Sequence, residues 1–226
     1  MMEAFLSFHA PGFWLVITLL AGVVVLGIRP YLGPGLRLWS MVGCWVLLPY
    51  LALITGGVSP RLMGIAYVDW IVSLRLGIGL AVVMIGLAGV ARMSLLTSGE
   101  TVQDRAALMP ITGGSLLAAI AMSGAEEWFW CFLRSAVAEA LGILQLPLDV
   151  PGYWSIWIAA LIALPFSLAY QPTALHRFVK AAILVMTSIL FFYTRNFWLC
   201  WAVHATTWLL LAQPAANRVI TRKSRV

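Results

Sequence analysis

Hydrophobic positions in this chain fall in long unbroken runs, not in short alternating ones. Asp, Glu, Lys and Arg are missing from residues 4–28, 38–60, 76–91, 106–125, 150–176, 181–194 and 196–217. A helix needs roughly 20 apolar residues to cross ~30 Å of hydrocarbon. Barrel strands would instead alternate over segments of about 10 residues. The pattern predicts an all-α, polytopic integral membrane helix bundle with about seven transmembrane helices. The expected spans are 11–28, 39–57, 66–91, 111–134, 152–170, 178–194 and 196–213. Asp69 and Arg75 interrupt the third, so residues 60–74 can also be read as an interfacial helix, an eighth element. AVAEALGIL (136–144) extends the fourth helix, and Pro147, Pro151 and Gly152 turn the chain into the fifth. No repeat or linker divides residues 1–226, which read as one membrane domain with a basic tail at 214–226.

Composition agrees: 62% of residues are hydrophobic and only 10% charged, which excludes a water-soluble domain. The net charge of +6 comes from where the basic residues lie. Arg29, Arg37, Arg92, Arg105, Arg177 and Lys180 follow spans 1, 3 and 5, and the tail adds Arg218, Arg222, Lys223 and Arg225. Arg61, Arg134 and Arg195 fall on the other side, and Arg75 within the third span. Basic residues gather in cytoplasmic loops, so the N-terminus is expected outside and the C-terminus in the cytoplasm. The expected partner of the basic tail is membrane lipid; with no soluble basic domain, nucleic acid is not expected. Glu3 and the lack of a basic leader argue against a cleaved signal peptide. Cys44, Cys131 and Cys200 all lie in predicted spans without CxxC spacing, so they read as reduced packing residues.

Ionisable groups inside a span cost at least ~2.5–3.5 kcal/mol each and are functional candidates by default. They are Asp69, Arg75, Glu126, Glu127, Arg134 and His204, with Tyr170 beside them. Glu126 and Glu127 stand side by side in GAEEWFWCFLRS (124–135). Adjacent helical residues point about 100° apart, so one carboxylate can face a cavity while the other is held structurally. Glu127, Cys131 and Arg134 share one stripe; Glu126 shares another with Trp130 and Leu133. A buried carboxyl suits general acid–base chemistry. A neutral histidine such as His204 donates one hydrogen bond and accepts another. The alternative is that the two glutamates anchor helix packing by hydrogen bonds or pair with Arg134 and Arg75, and that His204 makes a helix-to-helix hydrogen bond.

Three blocks carry a resemblance: GAEEWFWCFLR (124–134), PFSLAY (165–170) and YTRNFWLCWAVHATTW (193–208). Their order and spacing resemble the CPBP (CAAX-protease and bacteriocin-processing) family of glutamic-type intramembrane proteases over roughly residues 110–213. The resemblance implies a metal-independent peptide hydrolase in a bacterial inner (plasma) membrane, without a cofactor. It assigns Glu126 as the base that activates water, Glu127 as a structural carboxylate and His204 as an oxyanion donor. Phe166 becomes a packing residue, and Tyr170 stands where the family has a histidine. Cys131 replaces the arginine of EExxxR, with Arg134 one turn later as its partial substitute, and Trp208 replaces an asparagine. No HExxH occurs, and the only histidines are His9, His176 and His204, so no metal site is expected.

Two functions are therefore expected as alternatives. One is an endopeptidase that cleaves a peptide or a membrane-protein tail. The other is a non-catalytic subunit whose eleven tryptophans offer packing surface to a membrane-complex partner or a pigment-like ligand.

Overall fold

A computed structural model describes residues 5–97, 116–145, 147–171 and 174–212. The tail at 214–226, Arg105 and the first residues of the fourth expected span (111–115) lie outside the described residues. Among the described residues the regular structure is helical, with no strand. α1 is Pro11–Ile28, and α2 runs as Pro34–Val42, Gly43–Leu47 and Leu48–Ile54. α3 is Trp70–Thr97, α4 Leu116–Leu144, α5 Pro151–Ala169, α6 Ala174–Thr194 and α7 Phe197–Ala212. Six of these are long and apolar enough to cross a membrane, and Phe197–Leu211 is a shorter apolar helix. The chain is an integral membrane helix bundle.

Proline sets several helix starts. Pro11, Pro34 and Pro151 each occupy a first-turn position, where their missing N–H costs nothing. Pro49 lies further inside α2, and just before it Gly43–Leu47 widens into a π-helical turn. A proline removes an intrahelical bond, and such π turns are a usual way to absorb the defect. Trp45, at the centre of that turn, is buried against the Phe129 ring of α4.

The interfacial helix considered for residues 60–74 does not form. Turns and irregular backbone run up to Asp69, and α3 starts at Trp70. The cause is local: Gly64 (φ +70°) and Tyr67 (φ +56°) hold left-handed conformations that no right-handed helix accepts. Asp69 is explained here too, because its Oδ1 accepts the Val72 N–H at 3.0 Å and caps α3. Arg75 is exposed on the outer surface of α3 and takes no part in the core.

The loop is pinned at both ends. Gly64 O accepts the Phe197 N–H at 3.0 Å, and Glu139 Oε1 accepts the Ser59 N–H at 2.8 Å. A Cβ on Gly64 would stand 2.5 Å from the Arg195 carbonyl oxygen, so glycine is needed twice over there.

α4 is the central helix. It packs on α5, α7, α1 and the π turn of α2, while α7 also packs on α3 and α6. Two apolar clusters result, one built around α1, α2, α4 and α5, the other around α3, α6 and α7. Trp130 and Leu133 belong to the first and Cys131 to the second. The Glu127–Cys131–Arg134 stripe therefore runs along the seam between them.

Candidate functional site

The seam holds a polar cluster contributed by three helices. Glu126, Glu127 and Arg134 come from α4, Lys180, Thr187 and Ser188 from α6, and His204 from α7. All are nearly inaccessible, with Glu127 and His204 at 0% exposure. The stripe reading of α4 holds, because residues three and four apart overlie one another. Arg134 Nη1 reaches back two turns to Glu127 Oε1 at 2.7 Å, passing the Cys131 sulfur at 3.6 Å. Arg134 Nη2 donates to Thr187 Oγ1 and Ser188 Oγ, each at 3.2 Å, and the guanidinium lies 5.0 Å from the Phe191 ring centroid. Arg134 thus pairs with Glu127 across two turns of the same helix. Its length permits this.

Glu126 points elsewhere and forms an ion pair with Lys180 through Oε2. The sequence reading placed Lys180 among the loop cations, and that is corrected here. α6 is helical from Ala174, so Lys180 lies within its first two turns and turns into the bundle, 2% exposed. A visible signal was the spacing of His176, Lys180, Thr187 and Ser188, which is helical and makes one polar stripe.

His204 joins the two carboxylates. Its Nδ1 is 3.3 Å from Glu127 Oε2, and its Nε2 is 3.4 Å from Glu126 Oε2 and 3.5 Å from Lys180 Nζ. The imidazole thus lies between two ion pairs, Glu127 with Arg134 and Glu126 with Lys180. A neutral ring carries one N–H. Nε2 faces both the Lys180 ammonium, which only donates, and the Glu126 carboxylate, which only accepts; a neutral ring that accepts from Lys180 donates through Nδ1–H to Glu127. Lys180 then uses all three of its N–H groups: on Glu126, on His204 Nε2, and on the Trp208 ring 3.9 Å away.

The imidazole plane is set from behind. Trp130 stacks on it with centroids 4.8 Å apart and planes 8° from parallel. Trp130 Nε1–H in turn donates to Ser167 Oγ on α5 at 3.1 Å.

The remaining sequence candidates separate. Trp208 belongs to the site through Lys180, and Cys131 through the Glu127–Arg134 pair. Phe166 is a packing residue: its ring meets Phe129 edge-on and lies where α1 passes closest, so that a Cβ on Gly22 would come within 2.5 Å of it. Tyr170 ends α5 at a different corner. Its ring packs edge-on against Trp45, under the Arg29 guanidinium at 4.8 Å. Arg29 itself is bonded to the Ala169 carbonyl. The expectation that Tyr170 joins the glutamates does not match this placement, because Tyr170 follows the last turn of α5 and faces α1 and α2.

Nor does Glu126 face the groove that α4 carries. That groove, of about 580 Å³, is lined by Gly124, Ala125, Trp128, Phe197 and Trp201 among others. Gly124 and Trp128 are each two residues from Glu126, about 200° round the helix and so on its far side. Among the described residues no group of three His, Cys, Asp or Glu side chains is arranged to hold a metal ion.

Compared with known proteins, the chain matches no protein family, no curated protein and no solved structure.

Proposed function

We propose that this protein is a glutamic-type intramembrane peptide hydrolase, a divergent relative of the CPBP proteases. It would sit in a bacterial inner membrane with its N-terminus outside and its C-terminus in the cytoplasm. One observation carries the reading: Glu126 Oε2 and His204 Nε2 stand 3.4 Å apart as two acceptors aimed at one point. A water molecule taking the place of the Lys180 ammonium at that point would donate one O–H to each. Glu127 holds the imidazole through Nδ1 as a carboxylate orients a catalytic histidine.

The chemistry follows from those positions. Glu126 takes a proton from water while the oxygen attacks the scissile carbonyl carbon. When the tetrahedral adduct collapses and the C–N bond breaks, Glu126 returns the proton to the departing amine. The substrate is a peptide or the tail of a membrane protein. The test is cleavage of transmembrane-tail peptides by the purified, liposome-reconstituted protein, followed by mass spectrometry. Glu126→Gln keeps the shape and removes the base, and should lower the rate by roughly 10²–10⁴-fold. Equal cleavage by both proteins would refute the assignment.

A second reading has its own observation. With Lys180 in place the cluster is charge-balanced and self-satisfied, and Tyr170 lies outside it, which suits a subunit of a membrane complex. That reading requires a stable co-purifying partner, and a function that Glu126→Gln leaves intact.

A further inference from the structure

Glu126 Oε2 and His204 Nε2 converge on one donor, and in this structure the donor is the Lys180 ammonium. Under the hydrolase reading, on which this inference rests, the same position belongs to the attacking water. The two occupants exclude each other. An ammonium satisfies both acceptors as water would, but its nitrogen has no lone pair and cannot attack a carbonyl. We propose that Lys180 holds the place of the hydrolytic water, and that Glu126 is withheld from water and substrate until this side chain leaves.

The surroundings fit an occupant that can leave. Lys180 is held by a flexible stem of four methylenes, whereas Arg134 on the other carboxylate is fixed by two hydroxyls and an aromatic face. The third contact of Lys180 is the Trp208 ring, not a carbonyl or hydroxyl oxygen. Lys180 also lies within the first two turns of α6, so withdrawal toward that end moves the charge out of the bundle. Each carboxylate therefore has a cation of a different kind, one fixed and one removable.

A hydrophobic carbodiimide tests this without any substrate. Such a reagent adds to a protonated carboxyl in an apolar setting and spares an ionised, paired one. The protein in detergent is labelled, digested, and the adduct located by mass spectrometry. In wild type and in Lys180→Arg, Glu126 should label slowly. In Lys180→Ala, and in Lys180→Met, which keeps the side-chain volume, Glu126 has no cation and becomes neutral. Labelling there should then be at least about tenfold faster, given the size of the penalty for an unpaired buried charge. Glu127, still paired with Arg134, is the internal control and should stay unlabelled in every variant. Unchanged labelling of Glu126 in folded Lys180→Ala and Lys180→Met overturns the proposal, and so does fast labelling in wild type.

Peptide cleavage by the same proteins separates this from the hydrolase reading. Faster labelling with faster, Glu126-dependent cleavage by Lys180→Ala supports both. Faster labelling with no cleavage by any variant keeps Lys180 as the cover of Glu126 and ends the hydrolase reading. Cleavage with unchanged labelling does the reverse.

Discussion

Replacing Arg134 by methionine removes a guanidinium that no water can replace. Arg134 is 2% exposed and its partner Glu127 is fully buried, 2.7 Å away. The substitution leaves Glu127 with the His204 Nδ1 at 3.3 Å and the weak Cys131 thiol at 3.8 Å, and removes the guanidinium partner of the Ser188 hydroxyl, while Thr187 keeps its bond to the Leu184 carbonyl. Breaking a buried ion pair from one side typically costs 3–5 kcal/mol, because the remaining charge is uncompensated. At 1.4 kcal/mol per decade that is roughly 10²- to 4 × 10³-fold in the unfolding equilibrium. Removing both charges is a different case. Arg134→Met with Glu127→Gln leaves neutral groups, and Gln can still accept the His204 N–H, so the double variant should lose under about 2 kcal/mol. The measurement is a double-mutant cycle on reversible unfolding in mixed micelles, following helical circular dichroism. A coupling of about 2 kcal/mol or more is expected. If each single variant costs less than about 1 kcal/mol, the paired-charge account of the seam is wrong.

Other outcomes follow from particular residues. Gly64→Ala puts a Cβ 2.5 Å from the Arg195 carbonyl oxygen at φ +70°; it should cost more than the 1–2 kcal/mol of the left-handed conformation alone, read as a drop in thermal midpoint. Asp69→Ala removes the acceptor for the Val72 N–H and should destabilise by about 1 kcal/mol, with Asp69→Asn recovering most of it. Maleimide on the native protein should modify Cys44 and spare Cys131 and Cys200, which are fully buried; denaturation should expose all three, and early labelling of Cys131 would contradict the packed seam.

The helices were legible because a membrane span is defined by what it lacks. Charge-free runs gave the seven segments, and the structure moves their ends by a few residues. The Glu127–Arg134 pairing was also legible, since a seven-residue interval returns to nearly the same helix face. Lys180 was not. A lysine close to a helix start has the same composition whether it serves a loop or the interior, and hydropathy cannot see which way it turns. Tyr170 failed for a related reason: motif spacing fixes its place along α5 but not the direction of a residue just past the last helical turn. The stretch at 60–74 misled because Gly64 and Tyr67 break the helix through their backbone conformation, not their hydropathy.

The polar seam also explains how three apolar helices find one register. In hydrocarbon the hydrophobic effect no longer drives helices together, and packing alone leaves many near-equal rotations and slides. Directional bonds remove that degeneracy. Between α4 and α6 every side-chain bond spans 53 or 54 residues: Glu126 to Lys180, Arg134 to Thr187, and Arg134 to Ser188. A constant offset means two parallel helices locked in step over more than two turns. α7 runs the opposite way, with His204 on Glu126 and Glu127 and Trp201 Nε1 on the Ile120 carbonyl. A slide of α6 by one turn, about 5.4 Å, would break its bonds to α4 together and leave Glu126 and Lys180 unpaired, while the Glu127–Arg134 pair, both partners on α4, would survive it. Arg134 holds α4 against α6 through Thr187 and Ser188, and Glu127 holds α4 against α7 through His204. Lys180 adds a second α4–α6 bond, to Glu126, at the same offset, and ties α6 to α7 through His204 and Trp208. With the Lys180–Glu126 pair released, the Arg134 bonds to α6 and the Glu127–His204 bond to α7 would still hold α4 against both helices.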